Sequence, residues 1–235
     1  MHIISIISSR RGVGQTTVAI NLAVGLLRKG YRVLFCNVNS NPGVYNWLEV
    51  KIEPYEVQWQ AEAKDLQRDI YPSALGIDLL YPGISPRVEL FQNEAILNTI
   101  YELPYDYFII NPGGEAEELL IAALLADNVI ACTDLRNENE LHRLSVLQEQ
   151  LNQISQGQKG LNLILPCKIV SSEWDHNTTI LFSIAEYFGY EKIGDFLPSC
   201  ERIHSLPDTK QHIWQLQQSN IKQAFNRLVE RVEKF

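Results

Sequence analysis

The chain has 235 residues, of which 46% are apolar and 20% charged, so it has enough apolar material for one α/β domain, or two small ones, with a buried core. Twenty Lys and Arg against 28 Asp and Glu give a net charge of -8, which argues against a protein whose whole surface binds nucleic acid. Since no apolar run reaches the roughly 18 to 20 residues that span a bilayer and the N-terminus lacks a secretory signal, we expect a cytoplasmic protein without membrane binding.

The first predicted elements are a strand, a glycine-containing loop and a helix. Residues 2–8 are a short β-branched apolar run, followed by S-R-R-G-V-G-Q-T-T over residues 9–17. Apolar residues then recur near a 3.6 period up to Gly30, which lies where a helix C-cap is expected. A second apolar strand over residues 32–37 completes a unit that is typical of a parallel sheet with right-handed crossovers.

The alternation of strands and helices continues to the C-terminus. Further buried strands are predicted at residues 76–81, 105–111, 128–132, 161–170 and 192–197. Helices are predicted at residues 88–101, 116–125, 138–154, 178–188 and 219–234. Residues 49–73 are less regular and connect the second and third strands, in part as helix. Because no linker or repeat interrupts this order, we predict a single three-layer, doubly wound α/β domain over residues 1–235, with a mostly parallel sheet.

The last predicted helix places Ile221, Phe225, Leu228 and Val232 on one face. We expect this face to pack in the core rather than to lie on a membrane surface. The four cysteines lie far apart without a C-x-x-C pair, and the five histidines lack metal-ligand spacing. We therefore predict reduced, mostly buried thiols and no metal site.

The loop between the first strand and the first helix is a candidate anion site. Free backbone N–H groups and the positive end of the helix dipole converge at such a loop, and Gly12 and Gly14 would let the backbone wrap closely. In a working phosphate loop a lysine contacts the terminal phosphates and a hydroxyl binds Mg²⁺. Here Gln15 takes the lysine position and is followed by Thr16 and Thr17.

Three motifs, in order, resemble those of the ParA/MinD superfamily of P-loop ATPases. Residues 8–17 resemble its deviant Walker A loop, K-G-G-V-G-K-T-T, and residues 31–39 resemble its second strand, which ends in D-x-D. Residues 105–114 resemble its Walker B strand, Y-D-Y-h-I-I-D-x-P-x-G, where h is apolar. Leu197 and Pro198 are similar to the I-P that follows its last strand. The resemblance covers nearly the whole chain and implies a P-loop NTPase-like fold.

The sequence departs from the family pattern at its charged positions. The resemblance places Arg10 at the signature lysine that reaches across a nucleotide-sandwich dimer, and Gln15 at the phosphate-binding lysine. It places Asn37 and Asn39 at the aspartates of D-x-D, and Asn111 at the Walker B aspartate that helps hold Mg²⁺. Since amides bring no charge to Mg²⁺ and cannot act as general bases near pH 7, we predict no or negligible ATP hydrolysis.

Two rival interpretations stay open. A neighbouring acid, Glu115, Glu117 or Glu118, could replace the lost carboxylates and support slow hydrolysis, although acids there are more simply first-turn residues facing a helix dipole. The chain could instead be a pseudo-subunit that pairs with an active ATPase and lends Arg10 across the interface.

The predicted site keeps two cations, Arg10 and Arg11, and has no motif carboxylate; Arg11 stands where the family has glycine. We therefore expect it to bind anions weakly and without metal: sulfate, phosphate, metal-free ATP or ADP, or an acidic side chain of a partner. No cofactor is required, and Mg²⁺ is not expected. Equally open is that Arg10 or Arg11 plugs the pocket or points into solvent. The candidate binding residues are Arg10, Arg11, Gly12, Val13, Gly14, Gln15, Thr16, Thr17, Asn37, Asn39 and Asn111.

The sequence thus predicts a catalytically degenerate ParA/MinD-like protein that works as a localisation, scaffold or partner-binding module. The alternative is a slow or active ATPase of this type that positions a division site, plasmid, chromosome, pilus or flagellum. We expect protein partners, either a second copy in a homodimer that forms without nucleotide or an active ParA/MinD-type ATPase, and no nucleic acid. The segment 134–141 and the spacing before residue 105 are most similar to the MinD-like pilus-assembly branch that includes TadZ and CpaE.

Overall fold

The computed structural model describes residues 1–38, 42–53, 55–57, 63–83, 91–113, 119, 121 and 124–235. Its strands are β1 (His2–Ser8), β2 (Val33–Asn37), β3 (Ile70–Pro72), β4 (Asp78–Leu80), β5 (Tyr107–Asn111), β6 (Asn128–Thr133) and β7 (Leu163–Pro166). Its α-helices are α1 (Gln15–Arg28), α2 (Pro42–Trp47), α3 (Ala63–Arg68), α4 (Glu94–Glu102), α5 (Glu140–Ile154), α6 (Trp174–Phe188), α7 (Glu201–His204), α8 (Leu206–Thr209) and α9 (Ser219–Val232). Short 3-10 turns are Ser171–Glu173, Tyr190–Lys192 and Ile213–Gln215.

The seven strands form one sheet in the order β3-β4-β2-β5-β1-β6-β7. β1 lies between β5 and β6 and is parallel to both, with Ile4 opposite Ile109 and Ile6 opposite Ile130. β3 alone runs antiparallel, along the outer side of β4. The predicted α/β class and the mostly parallel sheet are confirmed.

Both faces of the sheet are buried, which explains the continuous apolar runs of its strands. In β1, Ile4 and Ile6 belong to the cluster that includes residues of α1 and α9, whereas Ile3 and Ile7 contribute to clusters with α4 and with α5 and α6. The four predicted core residues of α9 are each at most 2% exposed, so the expectation of core packing is confirmed. Gly25 lets α1 approach this helix, because a Cβ there would lie 2.5 Å from Val229.

The end of α1 follows the prediction, and the segment after β7 does not. Gly30 has φ +97° and follows the C-cap residue of α1, as expected of a helix-terminating glycine. The predicted strand over residues 161–170 stops at Pro166. Two residues on, Lys168 adopts a left-handed φ of 58°, which breaks the extended backbone. The strand predicted over residues 192–197 was wrong, since that segment meets β7 through one isolated bridge, Ile193 with Ile164, and through two backbone hydrogen bonds.

The connection between β2 and β4 is part helix, as expected, but it also contains the short strand β3, which was not predicted. The helix predicted over residues 88–101 begins at Glu94, where the Asn93 side chain accepts hydrogen bonds from the first turn. Residues 88–90 and most of the helix predicted over residues 116–125 lie outside the described residues.

Three of the four cysteines, Cys36, Cys132 and Cys167, are buried and all four are free, so the prediction of mostly buried thiols is confirmed. Within the described ranges, none of the helices combines the length and the apolar character that crossing a bilayer requires.

Candidate functional site

A cavity of about 1120 Å³ opens at the carboxyl end of β1. Its floor is the loop over residues 8–18, and its walls come from α5, from the chain after β7 and from residues 197–204. Parallel α/β sheets bind their ligands outside the carboxyl ends of the strands, and sites for small molecules usually enclose about 300 to 1,000 Å³. The glycine loop therefore lies at the base of the cavity that the fold favours as its ligand site.

The backbone of this loop has the geometry of an anion site. Gly12 and Gly14 have φ of +79° and +113°, a region that side chains disfavour, although a Cβ at either glycine would meet nothing within 4 Å. α1 begins at Gln15 with Gly14 as its N-cap, without a side-chain cap and without an acid in its first turn. The first N–H groups of a helix have no acceptor within it, so those of α1 are available to an anion.

Gln15, Asn111 and Asn37 form a chain of hydrogen bonds under the loop. The Gln15 Oε1 accepts from the Ser8 hydroxyl at 2.7 Å, and the Gln15 Nε2 donates to Asn111 Oδ1 at 3.1 Å and to the Pro112 carbonyl. The Asn111 Nδ2 donates to Asn37 Oδ1 at 2.7 Å. The structure therefore brings together three of the four positions at which the sequence has an amide where the family has a charged residue. The fourth, Asn39, lies outside the described residues.

The amide chain is electrically neutral, and its donors and acceptors match. Asn37 and Asn111 are fully buried, and each turns its side-chain oxygen toward an N–H donor. The Thr16 hydroxyl, a metal ligand in a working loop, accepts from Asn111 Nδ2 at 3.3 Å. The oxygens that a cation would need are thus engaged by donors, and neither amide carries a charge, so these residues do not fit Mg²⁺. The candidate rescuing acids, Glu115, Glu117 and Glu118, are outside the described part of the chain.

On the opposite side of the loop, Arg10 folds back onto two buried carboxylates. Its Nη2 donates to Asp134 Oδ2 at 2.9 Å, and its Nε lies 3.4 Å from Glu140 Oε1. Asp134 follows β6 and is 1% exposed, while Glu140 begins α5 and is fully buried. Arg136 and Arg143 pair with the same two acids. We call the five residues Arg10, Asp134, Arg136, Glu140 and Arg143 the arginine–acid cluster.

Hydroxyl groups complete the bonding of the cluster. Glu140 Oε2 accepts from the Ser9 hydroxyl at 2.6 Å and from Thr133 Oγ1 at 2.9 Å. Burial by itself would raise the pKa of Asp134, but hydrogen bonds from Arg136, aided by the charges of Arg136 and Arg10, hold that pKa below its ordinary value. Both acids are thus provided with the partners that buried carboxylates need. Arg10 is committed within its own chain.

A lysine that the sequence analysis did not select contacts the loop from another direction. The Lys168 Nζ donates to the Gly12 carbonyl oxygen at 2.5 Å. Asp134, Glu140 and Lys168 were all missed as site residues because they follow or face strand ends that are distant in sequence. The one available signal was their position after the carboxyl ends of predicted strands, where ligand sites form in such sheets.

The described lining of the cavity is basic. It includes Arg10, Arg11, Arg143 and Lys168, and it contains no aspartate or glutamate among the residues that the structure describes. Arg11 is exposed at the cavity mouth, and Val13 is buried beneath the loop. Arg10 and Arg11 thus both line this cavity, and Arg10 is paired within the arginine–acid cluster.

The fold and the glycine loop define an α/β protein of the P-loop NTPase type. A family model described as an AAA domain matches residues 1–53. Over its whole length the chain is similar to McdA from Cyanothece, with a TM-score of 0.78, 19% identity and 99% of each chain covered.

Two further solved structures show the same likeness. A putative plasmid partition protein from Borrelia burgdorferi, bound to AMPPNP, has a TM-score of 0.76 and 18% identity, with 100% of this chain and 99% of that chain covered. MinD from Aquifex aeolicus, in complex with MinC, has a TM-score of 0.80 and 16% identity, with 100% and 96% covered. No curated protein matches the chain in sequence.

The fold predicted by the resemblance to the ParA/MinD superfamily is confirmed by these likenesses. At identities of 16 to 19% they establish the fold alone. The loss of catalysis and the pilus-assembly branch stay predictions.

Proposed function

We propose that this chain is a ParA/MinD-like protein that has lost ATP hydrolysis and works as a partner-binding module. The observation that carries the proposal is the amide chain of Gln15, Asn111 and Asn37, which fills the positions of a lysine and two aspartates with a matched set of neutral hydrogen bonds. Phosphoryl transfer relies on positioned charges and metal ions, and these three residues supply neither.

The site is proposed to bind phosphate-type anions weakly and without metal. Support comes from the N–H groups at the start of α1 and from the basic lining of the cavity. Arg10 and Arg143 are paired with the acids of the arginine–acid cluster, so the proposal does not rest on their charges. The same pairing disfavours one part of the rival pseudo-subunit interpretation, the lending of Arg10 to another chain, because two buried acids would then lose a cation.

Binding to another protein is proposed because a protein of the same fold has been solved in a complex. The Aquifex aeolicus relative was solved as a complex of MinD with MinC, so one protein of this fold associates with a different protein. A scaffold that no longer turns over nucleotide can still present such a surface. The partner is proposed to be a second copy of this chain or an active ATPase of the same fold, bound without the help of Mg-ATP.

Turnover and binding in the same sample test the first part of the proposal. We expect no Mg²⁺-dependent release of phosphate from ATP above background, and calorimetry with ADP should give the same affinity in Mg²⁺ as in EDTA. Phosphate release that is lost in Gln15→Ala would contradict the proposal. A slow ATPase that uses other acids would be the better description in that case.

A restoration variant tests whether the three amides are the cause. Gln15→Lys, Asn37→Asp and Asn111→Asp together should raise the affinity for Mg-ADP over that of the parent, because a charged hydrogen bond contributes about 1.5 to 3 kcal/mol. The matched control makes the same three kinds of change at exposed positions, Gln92→Lys, Asn98→Asp and Asn220→Asp. A folded restoration variant without any gain would assign the defect to the loop or to Arg11 instead.

Light scattering tests the association. We expect the same molar mass with and without Mg-ATP, since the charges that would sense nucleotide are absent from Gln15, Asn37 and Asn111. A monomer that becomes a dimer on addition of Mg-ATP would contradict this.

A further inference from the structure

We infer that Lys168 supplies the positive charge for anion binding that Gln15 no longer provides. This inference rests on the proposed function and names the residue that carries its anion chemistry. Lys168 lies 156 positions from Gly12 in sequence, yet its ammonium donates to the Gly12 carbonyl oxygen at 2.5 Å. The charge therefore reaches the phosphate loop from the loop after β7 instead of from the helix that follows the glycines.

The backbone holds Lys168 firmly in this place. The neighbouring Cys167 donates its N–H to the Thr133 carbonyl at 2.8 Å, and Ile169 donates its N–H to the Leu197 carbonyl at 3.1 Å. Lys168 thus lies between two residues whose backbone N–H groups are both hydrogen-bonded. The side chain starts from a fixed point at the cavity wall, so less freedom is lost when it holds a ligand.

The left-handed backbone of Lys168, with φ 58°, is unfavourable for a residue with a side chain. Glycine would adopt it without strain. A long cationic side chain thus occupies a position that glycine would fill without strain, at the wall of this cavity.

The contact with Gly12 leaves Lys168 able to bind an anion. An ammonium has three N–H donors, and the Gly12 carbonyl takes one of them. The cavity lining that the structure describes has no carboxylate to neutralise the charge. The contact also covers a carbonyl oxygen that would repel an anion at the loop. Lys168 therefore both attracts an anion with its charge and reduces the repulsion between the anion and the Gly12 carbonyl oxygen.

The ligand class that fits is a phosphate or diphosphate group, free or at the end of a nucleotide. The Lys168 charge and the N–H groups at the start of α1 meet at the Gly12 to Gly14 loop, which is the place for such a group. Gln15 cannot take this part, because both ends of its amide are engaged with Ser8, Asn111 and Pro112.

The test compares three substitutions of Lys168 by calorimetry, in EDTA, with inorganic pyrophosphate and with ADP as probes. Lys168→Gln keeps a donor for the Gly12 carbonyl but removes the charge. We expect this variant to bind each probe with an affinity that is lower by about 10-fold or more, because charged hydrogen bonds are stronger than neutral ones. Lys168→Arg should retain most of the affinity. Lys168→Gln with Gln15→Lys should recover part of it, since the charge returns from the helix side.

The matched control is Lys159→Gln. Lys159 is also half-buried and also donates to one backbone carbonyl, that of Ala126 at 2.7 Å, but it does not line the cavity. We expect no change in affinity. The parent and Lys168→Gln should also differ in salt dependence, with the weaker dependence in the variant, because a screened charge has been removed.

Each remaining outcome overturns a defined statement. If the parent binds pyrophosphate and Lys168→Gln binds it equally well, Lys168 only braces the loop and the inference fails, while anion binding stands. If the parent binds neither probe, the anion site and the role of Lys168 both fail, and the absence of ATP turnover is judged separately from phosphate release. A loss of affinity that Lys168→Arg does not restore, or one shared by Lys159→Gln, also overturns the inference.

Discussion

The phosphate loop is held from its two sides by opposite kinds of chemistry. Toward β5 and β2, Gln15, Asn111 and Asn37 form a neutral chain in which each amide oxygen meets an N–H group. Toward β6 and α5, the arginine–acid cluster holds Arg10 by charge. Both sides satisfy groups that the fold buries, one by removing charge and the other by pairing it.

The two sides differ in where the chain carries charge around the loop: the side toward β6 and α5 has it, and the side toward β5 and β2 does not. The neutral side joins the loop to the ends of β5 and β2 through amides alone. The charged side joins the loop to the start of α5 and to the residue after β6 through Arg10. The loop is thus held on both sides by contacts within its own chain. Changes that remove charge from one side, or add it to the other, are the direct ways to test this comparison.

The largest effect is expected from Glu140→Gln, because it removes the charge from a fully buried side chain. Arg10 and Arg143 would lose an anionic partner, and the free energy of unfolding should fall by about 3 kcal/mol. Urea unfolding at pH 7 measures the change, with exposed Glu138→Gln as the control. A loss below about 1 kcal/mol would mean that the neutral hydrogen bonds from Ser9 and Thr133 are enough to stabilise residue 140. The charge of the arginine–acid cluster would then contribute little to stability.

A smaller loss, about 2 kcal/mol at pH 7, is expected when charge is added to the neutral side by Asn111→Asp. A carboxylate oxygen would then face the Asn37 oxygen that now accepts at 2.7 Å from the amide. The buried acid should bind a proton, so its folded pKa should rise above the unfolded value of about 3.9. The folded state then holds more protons, and stability should fall as pH rises from about 4 toward 7.

Unfolding of Asn111→Asp at pH 4 and at pH 7 measures this dependence, with exposed Asn98→Asp as the control. Equal losses at both pH values would show that the site admits water and tolerates charge. Adding Gln15→Lys supplies a cation beside the new acid, so the double variant should be more stable than the sum of the two single changes predicts. Simple additivity would mean that the two positions do not interact.

The smallest effect, about 1 kcal/mol, is expected from Asp134→Asn, because Arg136 is 48% exposed and water screens the pair. The pKa of Asp134 is lowered in the folded state, so its contribution to stability is present above the unfolded value of about 3.9 and is lost as pH falls through the folded pKa. The difference between the parent and Asp134→Asn should therefore shrink from pH 6 to pH 3. A constant difference would point to lost hydrogen bonds instead of lost charge.

Most of the fold was readable in the sequence because the strands are buried on both faces and therefore form continuous apolar runs. The glycines of the loop, and Gly30 after α1, were readable because few other residues adopt a positive φ. β3 was not readable, since three residues that pair at the outer side of β4 carry no periodic signal. The false strand over residues 192–197 has apolar residues but makes only one isolated bridge and two backbone hydrogen bonds to β7, which are too few for a strand.

The site was predicted residue by residue on one side only. The amide positions were predicted because the motifs place them at the ends of strands and at the start of the helix after the loop. The partners of Arg10 were not predicted, because Asp134 and Glu140 lie more than 120 positions away from it in sequence. Only the parallel pairing of β1 with β6 brings them close to Arg10. Lys168 was not predicted as a site residue for the same reason, since it lies 156 positions from Gly12. Long-range pairing of this kind leaves no local spacing to detect.

The two outer strands of the sheet bear on how copies of this chain can assemble. β3 is three residues long, ends at Pro72 and covers the outer side of β4. At the opposite margin, Gly194 and Leu197 donate their N–H groups to the Ile164 and Pro166 carbonyls of β7. Short, proline-ended or covered margins discourage strand addition between molecules. A homodimer of this chain should therefore form through helical or loop surfaces, and the sheet should be protected from polymerisation through its margins.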